Sequence, residues 1–79
     1  MLTPAQVVDT YFLEARHQLL EIAALLDRHD AALTRAAAAG GNGRHDARMA
    51  ALRRALEILA ELRTDRERTV ALLELFATV

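Results

Sequence analysis

An all-α fold is predicted by three observations. Seventeen alanines and fourteen leucines stand against three glycines and one proline, a balance that favours helix and is poor in the β-branched and aromatic residues that strands prefer. Apolar residues recur three and four apart over most of the chain, which is the period of a helix face. Turn chemistry is concentrated in one stretch, GGNG at residues 40 to 43, so few connections are available. The expected architecture is a single helical domain, 1–79: a long antiparallel helical hairpin plus a short C-terminal helix.

The first helix is expected over about 4–38. Thr3 before Pro4 is a start signal, because the hydroxyl accepts from free backbone N–H groups and proline at the first helical position loses no hydrogen bond. Nothing breaks the pattern until Gly40, giving about 50 Å of helix at 1.5 Å per residue. A loop over 40–43 then turns the chain back. The second helix is expected over about 46–63, with apolar residues at Leu52, Ala55, Leu56, Leu59 and Leu62.

The apolar stripe lapses in LRTDRERT, residues 62 to 69, where Thr64 and Glu67 have the spacing of a capping box. A break there leaves a third helix over about 65–77, whose VALLELF is apolar on most sides and must dock on something. With no glycine or proline at the joint, one continuous helix from 46 to 77 is the alternative.

Advancing 100° per residue, Val8, Phe12, Ala15, Leu19, Ile22, Leu26 and Leu33 form a broad stripe on the first helix, expected to face the second. Leu13, Leu20, Ala24 and Ala31 form a narrower stripe on the far side. A two-helix hairpin cannot cover both. A chain this small buries only about 60% of its unfolded surface, and without cysteine it has no disulfide or thiolate site to compensate. A homodimer or higher oligomer is therefore expected, two hairpins forming a four-helix-bundle-like assembly.

Between the stripes run two polar bands, one with Asp9, Arg16, Asp27 and Asp30, the other with Thr10, Glu14, His17, Glu21, Arg28 and Arg35. Glu14-x-x-His17 has the carboxylate–imidazole spacing of ferritin-like di-iron and di-manganese bundles. Glu57 and Glu61 on the second helix would supply facing carboxylates, and dimerisation would double the set. The candidate metal ligands are thus Glu14, His17, Glu21, Glu57 and Glu61, suited to iron, manganese or zinc, with ferroxidase or oxidase chemistry if metal binds. The plain alternative is a solvated band with side-chain pairs worth a few tenths of a kcal/mol.

Two Arg-His-Asp triplets, at residues 28–30 and 44–46, invite a zinc reading. Neighbouring side chains on a helix point about 100° apart, however, and Asp46 reads better as an N-cap. Seven of the ten arginines lie from Arg44 onward, interleaved with Glu57, Glu61, Asp65 and Glu67. That is a salt-bridged helix surface, and the formal net charge of -1 argues against a nucleic-acid partner.

Serine is absent, GGNG lacks the lysine of a phosphate loop, and no nucleophile–base pair can be assembled, so hydrolase and transferase chemistry is not expected. No catalytic residue or organic cofactor is assigned. The rhythm of FLEARHQLLEIAALLDR and ALRRALEILAEL resembles short helical proteins of bacteria, which implies no particular activity. Lacking a basic leader and any long apolar run, the chain is expected to be cytoplasmic. The functional expectation is a structural or protein-interaction role through self-association or another protein partner, with the metal-binding bundle as the alternative.

Overall fold

The computed structural model describes residues 1–41, 46–62 and 65–79. Among these residues there are three α-helices and no strand: α1 (Pro4–Ala38), α2 (Ala47–Ala60) and α3 (Arg68–Phe76). The chain divides into two units, α1 forming one and α2 with α3 the other.

Both ends of α1 are closed by local chemistry. At the start, the Thr3 hydroxyl accepts from the Gln6 backbone N–H at 3.2 Å while the Gln6 side-chain oxygen accepts from the Thr3 N–H at 2.8 Å. This is a complete capping box with Pro4 just inside it, so two of the helix's orphan donors are satisfied. At the end, Gly40 adopts φ +82°, Gly41 N–H donates to Ala36 O at 2.7 Å and Gly40 N–H to Ala37 O at 3.1 Å. Those two bonds make a Schellman close, and the left-handed residue it requires is the glycine.

The second unit is built on small residues. Ala51, Ala55 and Ile58 are buried on α2, and Ala71 on α3. The first three recur at i, i+4 and i+7, one face of the helix, and alanine permits close interaxial approach. Leu52, Leu56, Leu72 and Leu75 are half-buried around them. The centre of the α2 stripe is therefore Ala51, Ala55 and Ile58, displaced from the leucine-centred stripe expected from the sequence, and Leu62 is 94% exposed.

α2 stops at Ala60, and its cap residue Glu61 is extended at φ -69°, ψ 141°. The helix is thus interrupted before α3, which excludes one continuous helix from 46 to 77. The guanidinium of Arg68, the first residue of α3, donates to the carbonyl oxygens of Leu59, at 3.1 Å, and Glu61. Carbonyls orphaned at the end of one helix are satisfied by the residue that opens the next. Arg66 and Glu74 form an ion pair. Glu67 precedes α3 without a side-chain cap bond, and the other half of the Thr64–Glu67 capping box lies outside the described residues.

Asp46 caps α2 by accepting from the Arg48 backbone N–H at 2.8 Å, and the Arg48 guanidinium folds back onto the same carboxylate at 2.9 and 3.2 Å. These side-chain and then backbone hydrogen bonds from Arg48 hold the Asp46 carboxyl down at about 2. The same pairing raises the Arg48 guanidinium above its ordinary value. Part of the 40–43 loop, and Arg44 and His45 of the second Arg-His-Asp triplet, lie outside the described residues.

Candidate functional site

α1 buries none of its 35 residues. Ile22, Leu26, His29 and Ala36 are half-buried, and their spacing places them along one side of the helix. On other sides the large apolar groups are open: Phe12 is 58% exposed, Leu13 75% and Leu20 54%. Phe12, Ala15, Arg16, Leu19, Leu20 and Ala23 line an apolar groove along the helix surface. Val8, Phe12 and Leu19, expected from the sequence to be ordinary core, are more than half exposed.

The candidate metal ligands on α1 lie on another side. His17 Nε2 and Glu21 Oε1 meet at 3.1 Å, with side chains 73% and 67% exposed. Glu14 accepts from the Gln18 amide at 3.5 Å, the outer limit of a hydrogen bond. The helix thus places Glu14, His17 and Glu21 on neighbouring turns and brings His17 and Glu21 into contact. Glu57 on α2 and Glu61 just past its end are held by one arginine, with Arg54 3.0 Å from Glu57 and 3.6 Å from Glu61. Among the described residues no three His, Asp or Glu side chains gather to hold a metal ion.

His29, of the first Arg-His-Asp triplet, is half-buried, and its Nδ1 is out of water with no hydrogen-bond partner among the described residues. Its neighbours at i−7 and i−3, Ile22 and Leu26, are apolar and half-buried, so the helical period places a polar ring on a mostly apolar side. That period was the one available sequence signal. Among the described residues of the second half, Arg48, Arg54 and Arg66 engage acids, in the Arg48–Asp46, Arg54–Glu57 and Arg66–Glu74 pairs.

Among the described residues no helix is long and apolar enough to cross a membrane. No family model, curated protein or solved structure matches this chain.

Proposed function

We propose that this chain is a small self-associating helical protein with a structural or protein-interaction role, and that α1 is its association surface. The observation that carries this is the exposure of Phe12, Leu13, Leu19 and Leu20 together on a helix with no buried residue. Helices in water owe most of their stability to packing of an apolar face, and clustered exposed apolar groups mark interaction sites. A second copy is the most economical cover, giving the dimeric, four-helix-bundle-like assembly expected from the sequence.

Sedimentation equilibrium of the purified chain at micromolar concentration tests the reading. A dimer or larger is expected, and Leu13→Glu with Leu20→Glu should return it to one chain. A wild-type mass of one chain across that range rejects the proposal.

A second reading, metal binding, is supported by the His17–Glu21 contact, since an imidazole and a carboxylate already converge one turn beyond Glu14. On this reading further carboxylates come from a second copy, Glu57 or Glu61 being the expected donors, and the ion is iron, manganese or zinc. Metal analysis of protein prepared without chelators, with Glu14→Ala as control, decides it. Stoichiometric metal lost in the variant supports the reading; metal-free wild-type protein ends it.

A further inference from the structure

We infer that the second copy pairs with α1 in antiparallel fashion, about a two-fold axis crossing the helix between Glu21 and Ile22, so that Arg16 of each copy meets Asp27 of the other. The inference rests on the self-association proposed above and specifies its geometry.

The first support is charge. Arg16 and Asp27 are eleven residues apart, just over three helical turns, and so stand on one side of α1 about 16 Å from each other. Both are exposed. Neither has an opposite charge three or four residues away in its own helix, and neither takes part in an ion pair among the described residues. An antiparallel two-fold placed midway makes both Arg16–Asp27 pairs at once, because an isologous interface repeats each contact. Parallel pairing in register would instead set Arg16 on Arg16 and Asp27 on Asp27, and like-charge juxtaposition across an interface is costly.

The second support is side-chain size. The N-terminal half of this face carries Leu13 and Leu20, the C-terminal half Ala23, Ala24 and Ala31, all of them exposed. Reversing the second copy places Leu20 against Ala23 and Leu13 beside Ala31. Large side chains then meet small ones along the seam, which fills space without voids. A parallel arrangement would crowd leucine on leucine at one end and leave alanine on alanine at the other.

The third support is position. Leu13, Arg16, Leu20, Ala23, Asp27 and Ala31 advance by three and four residues, the seam spacing of paired helices. The half-buried residues Ile22, Leu26, His29 and Ala36 fall on the other side of α1. A shorter antiparallel register pairing Arg16 with Asp9 overlaps only about twenty residues, leaves Asp27 without a partner, and sets Leu13 against Phe12.

Charge reversal in the full chain tests the pairing. Arg16→Asp should weaken dimerisation at least about tenfold, by opposing two carboxylates in each pair. Adding Asp27→Arg should restore it, because the reversed pairs are again complementary. A nitroxide on Thr10→Cys, in a chain with no other cysteine, gives the register by pulsed electron resonance. Thr10 lies outside the seam, and the proposed pairing separates the two labels by about 35 Å, against about 10 Å, little more than the spacing of the helix axes, for parallel pairing or the Asp9 register.

A dimer indifferent to Arg16→Asp, a double variant that stays dissociated, or a short label distance overturns this pairing while leaving self-association intact. A wild-type chain that stays monomeric overturns both.

Discussion

Arg68 Nε lies 3.1 Å from the Leu59 carbonyl oxygen, so a residue that opens α3 closes the end of α2. The same guanidinium donates to Glu61 O. A positive group at a helix C-terminus also opposes the negative end of the helix dipole, so hydrogen bonding and electrostatics favour one placement. This contact ties the two short helices together at the point where the backbone leaves helical geometry.

Arg68→Ala should therefore destabilise the second unit by about 1 kcal/mol, the net value of such bonds in an exposed setting. Arg68→Lys should recover only part, because an ammonium lacks the planar fork that reaches two carbonyls. Urea unfolding followed by circular dichroism measures both; an alanine variant as stable as wild type would show the contact to be idle.

Where α2 stops was the least legible feature of the sequence, and Arg68 is the reason. Leu62 continues the apolar period past Ala60, and no glycine or proline marks the stop. The groups that complete the end come from seven to nine residues downstream, beyond any local pattern. The boundaries of α1 were legible because Thr3, Pro4 and Gly40 act within a few residues of themselves. The side on which Glu14, His17 and Glu21 stand was legible from the helical period. What covers the apolar face beside them was not, because the helical period fixes the side on which a residue stands and not what packs there.

Gly40→Ala should lower the stability of α1 by about 1 kcal/mol, the cost of forcing an L side chain into left-handed backbone. A Cβ there meets nothing within 4 Å, so the penalty is conformational rather than steric crowding by neighbours. Loss of helicity confined to the last turns of α1, seen as faster amide exchange at Ala37 and Ala38, is the expected signature. Unchanged exchange would mean the Schellman close is not holding the end.

His29→Leu should stabilise the protein by about 1 kcal/mol. The substitution removes a buried nitrogen that lacks a hydrogen-bond partner among the described residues, whose desolvation is uncompensated, and continues the apolar side begun by Ile22 and Leu26. Thermal unfolding of the variant should shift upward, whereas a downward shift would mean the imidazole makes a contact that leucine cannot replace.

Asp46 couples α2 to acid. Its carboxyl is held at about 2 in the folded chain against an ordinary value of 3.8, so the folded state favours the ionised form. The stabilisation is present above the unfolded value and fades as pH falls from about 4 through about 2, where the cap protonates. Helicity should decline over that window, and Asp46→Asn should flatten this part of the profile while other carboxylates still titrate. A variant with the wild-type acid profile would remove Asp46 from the cause.

Concentration dependence gives the most general test of the α1 surface. If folded chains are stabilised by association, each tenfold rise in concentration adds about 1.4 kcal/mol to the unfolding of a dimer into separated chains, and the melting temperature climbs with it. Leu20→Glu places a charge among Phe12, Arg16 and Leu19 in the exposed groove, and should abolish that climb, because a carboxylate buried at an apolar interface, even beside Arg16, costs more than the face contributes. The variant should still form α1, since position 20 is exposed in the single chain and glutamate is a good helix former. Helical content retained together with a concentration-independent melt would place the loss at the interface. A collapse of helicity in dilute solution would instead make association a condition for α1 to fold, as expected for a long helix with no buried residue of its own.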